Sequence, residues 1–185
     1  MVGRVLRAPA VRWIALLLVP VLAFALYWFQ PWKLFTTKQV SETVPVVVAT
    51  SRSAEPSPAA SPTPAGPVNQ LLASGAFVTH EHDTSGTAQV VRLPDGRRQL
   101  VLLNLSTSDG PDLRVWLTDQ KVQAGTAGWR VFDDGKYVEL GRLKGNKGNQ
   151  VYDVPADVDL AVYRSVSIWC KRFAVSFGAA ELSLG

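Results

Sequence analysis

The residue with most chemistry to offer is Cys170, the single cysteine of the chain. With no second cysteine it cannot close a disulfide within the chain. It is therefore buried, reactive, a ligand, or paired with another molecule. It lies in the run Val166-Ser-Ile168-Trp-Cys170-Lys-Arg-Phe173. On a strand, Val166, Ile168 and Cys170 share one face. That directs the sulfur toward a core, where a free cysteine packs as a small hydrophobe. The cations that follow, Lys171 and Arg172, would instead favour a thiolate. A thiolate can act as a redox group or as an axial haem ligand. Packing and redox use both remain open on these residues.

His80 and His82 stand two apart, so on a strand both would point one way. Together with a cysteine they could form a mixed metal site, but an exposed strand end explains them more simply, and no metal is assigned. Lys144 and Lys147 belong to the glycine-rich stretch running to Gln150, whose backbone amides could face an anion. A hairpin loop with solvated lysines is the plainer account. Asp112 follows Gly110-Pro111 and reads as a turn cap rather than a ligand. Asn104-Leu105-Ser106 matches a glycosylation acceptor but falls in an apolar stretch. The chain has no HExxH, GxSxG, CxxC or P-loop, which argues against a stand-alone enzyme.

These residues must be positioned by short strands. Apolar alternation recurs at Gly75–His80, Thr87–Leu93, Gln99–Leu105, Leu113–Thr118, Tyr137–Leu143, Val151–Val154, Asp159–Arg164, Val166–Cys170 and Ala174–Leu184. Turn signals such as Pro94-Asp-Gly96, Asp109-Gly-Pro111 and Asp133-Asp-Gly135 separate them. No stretch after Val68 keeps a helical period. The expected fold is mostly β: an antiparallel sandwich-like domain over 68–185. About 118 residues suffice for a core without disulfides.

The N-terminal part differs in kind. Trp13 to Phe29 is apolar throughout. As a helix it would reach roughly 26 Å, close to the ~30 Å hydrocarbon core of a bilayer. Arg4, Arg7 and Arg12 precede it, which favours a cytoplasmic N-terminus. The run ends in Tyr27-Trp-Phe29-Gln-Pro31, a poor signal-peptide cleavage site, so an uncleaved anchor is expected. The expected division is a cytoplasmic segment 1–12, a transmembrane helix 13–29, a Pro/Ser/Ala-rich extracytoplasmic linker 30–67, and the β domain. Within the linker, Thr50 to Pro67 holds five prolines and no large apolar residue. It reads as a disordered stalk able to reach about 50 Å if extended. Six Lys/Arg and two Asp/Glu precede Val68, and thirteen of each follow it. The net charge of +4 therefore belongs to the anchor and linker, and a nucleic-acid surface on the domain is not indicated.

In order along the domain come Gly75-Ala-Phe77, His82-Asp-Thr-Ser-Gly-Thr-Ala88, Asp109-Gly-Pro-Asp-Leu113, Tyr137-Val-Glu-Leu140, Gly148-Asn-Gln150, Tyr152-Asp-Val-Pro155 and Ser165-Val-Ser-Ile-Trp-Cys170 with Phe173, Phe177 and Gly178. This set resembles the DM-thirteen domain family, which is linked to electron transfer and often found near DOMON-type domains. The resemblance implies a β-sandwich-like fold and a redox role. It places the family's distinctive cysteine at Cys170, as a free thiol or as the ligand of a prosthetic group such as haem. His82 is then the chemical candidate for a second ligand. The expected function is a membrane-anchored extracytoplasmic electron-transfer module working with a redox protein partner at the cell surface. The alternatives are a non-catalytic envelope binding or structural module with Cys170 as core packing, and an enzyme oxidising surface groups.

Overall fold

The alternating segments become one sheet in the computed structural model, which describes residues 9–47 and 68–184. Its strands are β1 Gln39–Ser41, β2 Gln70–Thr79, β3 Ser85–Arg92, β4 Arg98–Ser106, β5 Leu113–Thr118, β6 Tyr137–Arg142, β7 Lys147–Val154, β8 Ser165–Cys170, β9 Val175–Glu181 and β10 Ser183–Leu184. Their order across the sheet is β1-β7-β4-β3-β2-β9-β8-β5-β6, with β10 also on β2. All pairings are antiparallel except that of β1 with β7.

The expected sandwich is corrected in one respect: the two halves are not separate sheets. Strand β2 pairs with β3 over Gln70–Ala76 and with β9 over Phe77–Thr79, so it carries the ladder from one half into the other. The result is a continuous sheet curled into a half-barrel. Register shifts in five of the pairings supply local bends, because a bulge adds an unpaired residue and increases twist. One bend shows its chemistry. Gly86 sits at φ +116°, and a Cβ there would meet the carbonyl oxygens of Leu103 and Asn104 at 2.7 and 2.9 Å. The curl wraps a core to which one half gives Val90, Leu100 and Leu102 and the other Val115, Ile168, Cys170 and Phe177.

The segment Asp159–Arg164, expected as a strand, is a turn. The Asp159 carboxylate accepts from the Ala161 amide at 2.9 Å, and the Asp159 carbonyl accepts from Tyr163 at 2.8 Å. An aspartate that binds its own following backbone competes with the ladder and wins here.

Helix α1 spans Pro9–Phe29 and contains Pro20. Among the described residues no helix is long and apolar enough to cross a membrane. The helix expected over 13–29 is thus present, while a span does not follow from its structure. After it, Pro31–Phe35 forms a 3-10 turn. The chain then returns to the domain: the Lys38 amide donates to Asn146 Oδ1 at 2.7 Å, and β1 adds to the edge of β7. The helix end is held as well. Arg172 donates to the carbonyls of Tyr27 and Trp28 at 3.3 and 2.7 Å, and Phe29 stacks on Phe173 at 5.7 Å. Helix C-termini leave carbonyls without intrahelical partners, and a cation there is favoured on both counts. Val47 forms a parallel bridge with Asn69, whose side-chain amide donates to the Val46 carbonyl at 3.0 Å. The expected stalk over Thr50–Pro67 lies outside the described residues.

Candidate functional site

Cys170 ends β8, opposite Leu113 of β5 and Val175 of β9. It is fully buried on the inner face, in the cluster that holds Leu113 and Phe177 and against which Phe173 packs. Burial pushes the thiol above its ordinary range. Backbone amides of Phe173, Asp112 and Arg172 pull the other way but do not reverse the shift. The two cations that follow it serve other groups. Lys171 Nζ lies 3.4 Å from Glu139, and Arg172 binds the end of α1.

His82 lies above this end of the core. Its ring covers Phe177 at 4.0 Å between centroids, and Nε2 is 3.9 Å from the Glu81 carboxylate. Glu81, His82, the Asp109–Pro111 loop, Phe173, Phe177 and the Phe29–Leu34 segment line a cleft of about 320 Å³. Phe173 and Phe177 belong to that lining, and Cys170 does not. The fold thus brings His82 and Cys170 to one end of the domain, with Phe177 belonging to both surroundings.

His80 does not share a face with His82, because β2 ends at Thr79 and the following residues turn. Nor is it an exposed strand end. It is buried, stacks on Phe132 at 5.7 Å, and joins a directional chain. Its Nε2 lies 3.0 Å from the Gln123 carbonyl, so Nε2 carries the proton, and Nδ1 accepts from the Ser176 hydroxyl at 2.9 Å. Ser167 in turn donates to Ser176 at 3.0 Å. Burial is the larger influence on this imidazole and lowers its pKa. The contact with Gln123 opposes it. The unfolded chain then binds a proton that the native chain refuses as pH falls below about 6.5. Stability is full above that value and is lost as pH drops toward the folded pKa. Urea midpoints measured from pH 8 to 5 should fall, and His80→Gln should flatten that fall. An unchanged slope in the variant would remove His80 as its source.

Among the described residues no three of His, Cys, Asp and Glu stand together as a metal site. A carboxylate of the chain itself lies beside the glycine-rich stretch, held by the Lys144 side chain and by the amide just past Gln150. Glu42 accepts from Lys144 Nζ at 2.8 Å through both oxygens and from the Val151 amide at 2.7 Å. Lys144 is therefore a paired lysine, although part of its side chain faces solvent. Asp112 receives Arg114 Nε at 2.8 Å. Asp109 rather than Asp112 caps the turn, through the Gly110 amide at 2.8 Å.

Two features escaped the residue patterns. One is the Glu42–Lys144 pair, whose members are far apart in sequence. The other lies on the outer face, where Tyr137, Trp116 and Trp169 stack across β6, β5 and β8. Each is visible as an aromatic in an alternating segment, but their meeting depends on register.

Residues 76–182 match the family described as electron transfer DM13. The chain belongs to the DM13 family. The match covers every strand from β3 to β9 and so contains His80, His82, Cys170 and the aromatic stack. No curated protein and no solved structure matches the chain. Membership in DM13 suggests a redox or electron-transfer role, and within the DM13 domain the cysteine occupies the interior rather than a surface.

Proposed function

We propose that this chain is an electron-transfer module held at a membrane by α1, with the β domain on the extracytoplasmic side. The observation that carries the redox part is the DM13 match across the domain. The anchor rests on the uninterrupted apolar run Trp13–Phe29 behind Arg4, Arg7 and Arg12. The domain works with a redox protein partner at the cell surface rather than on a substrate alone.

Haem held by Cys170 does not fit these residues. The sulfur is fully buried among Leu113, Val175 and Phe177 and lines no described cleft, so a porphyrin has no face from which to approach it. His82 lines the cleft and covers the Phe177 ring, whereas Cys170 lines no part of that cleft. In this reading Cys170 is a protected thiol whose oxidation requires the surrounding core to open.

A second reading is favoured by the same burial: Cys170 is core packing, and the domain is an envelope binding module. The two separate on the full-length protein in detergent. An opening free energy of about 4 kcal/mol would slow labelling by a thiol reagent about a thousandfold against the unfolded chain. Cys170→Ser should cost about 1–3 kcal/mol, as placing a hydroxyl in an apolar site does. If that variant exchanges electrons with ferricyanide as the wild type does, the thiol is not the redox group. If the wild type exchanges none, the binding reading replaces the electron-transfer one.

A further inference from the structure

The outer face of β6, β5 and β8 carries three oxidisable rings in contact. Trp116 is opposite Glu139 on β6 and Ser167 on β8. Tyr137 and Trp169 are its diagonal neighbours on either side, near enough for large rings to meet. The Tyr137 and Trp116 rings lie 3.8 Å apart at 8°, and Trp116 and Trp169 lie 5.0 Å apart at 24°. One end of the stack is exposed and the rest is buried: Tyr137 is 43% exposed, Trp116 2% and Trp169 1%. Beyond Trp169 comes Phe132, a ring that is not readily oxidised.

The middle ring also has a proton acceptor. Trp116 Nε1 donates to Glu139 Oε2 at 3.3 Å. Burial pushes the Glu139 carboxyl up, but the indole N–H, Arg114 and Lys171 outweigh it and hold the group below its usual range, so it stands as a carboxylate. Packing alone requires neither an exposed phenol at one end of the stack nor a carboxylate on the indole.

We propose that Tyr137, Trp116 and Trp169 form a one-electron relay joining the surface to the buried outer cluster, with Glu139 as the proton acceptor of Trp116. This deepens the electron-transfer reading and rests on it for biological use, but the route needs no native partner to be observed. A one-electron oxidant of the high-potential metal-complex class removes an electron from the indole stack. The Nε1–H bond of Trp116 breaks, its proton passes to Glu139, and a neutral indole radical remains. Tyr137 then supplies one electron to Trp116 while the indole regains its proton from Glu139. The phenol O–H proton leaves to solvent, and a tyrosyl radical is left at the exposed end. An external reductant of the ascorbate class returns one electron and one proton to Tyr137 and closes the cycle.

The test is flash oxidation of the full chain in detergent by photogenerated tris(bipyridine)ruthenium(III), followed by transient absorption. The wild type should show the neutral tryptophanyl band giving way to the tyrosyl band. Tyr137→Phe, at an exposed position, should lose the tyrosyl band and lengthen the life of the tryptophanyl radical. Glu139→Gln should show the indole cation radical in place of the neutral one. Trp116→Phe, with its fold checked by circular dichroism, should lose the transfer to Tyr137. An undiminished tyrosyl band in Tyr137→Phe would overturn the relay, whatever the ferricyanide exchange shows. A wild type that shows the relay yet exchanges no electrons with ferricyanide would keep the route and overturn the electron-transfer function.

Discussion

Trp169→Ala should lower the unfolding free energy by about 3–5 kcal/mol. The ring is fully enclosed by Trp116, Phe132 and Ala179, with Val122 and Val131 packed around them. The size of the loss depends on whether the site can collapse, and here the covering loop is pinned. Asp119 and Lys136 exchange bonds at 3.1 and 3.0 Å across its base. The Val122 amide donates to Glu181 at 2.8 Å, and the Trp129 carbonyl accepts from Ser176 at 2.7 Å. A loop held at these points cannot follow the missing ring inward, so a cavity remains. Domains of this kind are stable by only about 5–15 kcal/mol, so the loss is a large share of the total. Urea unfolding followed by far-ultraviolet circular dichroism checks it. A loss below about 1 kcal/mol would mean that the loop collapses despite its bonds.

Gln150→Leu should cost about 2–4 kcal/mol although it replaces a buried amide by a side chain of similar size. Gln150 is fully buried opposite Leu102 and is satisfied at both ends. Its oxygen accepts from the amides of Lys144 and Gly145 at 3.0 and 3.3 Å and from the Tyr152 hydroxyl at 2.8 Å. Its nitrogen donates to the Gly145 carbonyl at 2.7 Å. Leucine would strand the Gly145 amide and carbonyl in a dry site, and stranded buried groups cost more than a matched bond contributes. The Lys144 amide keeps a second partner in Tyr152, at 3.1 Å, which limits the total. Tyr152→Phe should therefore cost less than Gln150→Leu. If the two cost the same in urea melts, the amide is not the hub of this loop.

Much of the domain was legible because strands of a half-buried sheet alternate, and Val166, Ile168 and Cys170 do face the core together. What failed had local causes. Asp159–Arg164 alternates like a strand, but Asp159 folds back on its own backbone. His80 and His82 looked like one face because the end of β2 at Thr79 leaves no mark in composition. Strand β1 is three residues long, and its partner Lys147–Asn149 lies more than a hundred residues away, so no window could hold both. The candidate site divides the same way. The cysteine and its inward direction were readable, whereas the Trp116 stack and the Glu42–Lys144 pair depend on register and chain return. The turn between two separate sheets and one curled sheet hung on β2 changing partners at Phe77, which alternation cannot show.

The bridge between Val47 and Asn69 changes what the segment after α1 can be. Lys38 and β1 seat on the edge of β7, and Val47 lies beside Asn69 at the start of β2, so Lys38–Val47 is fastened to the domain at both of its ends. A segment fastened in this way is part of the domain and fixes where the helix end must stand. A single residue added between Phe35 and Lys38 would disturb the seating of β1 and the hold of Arg172 on the helix end.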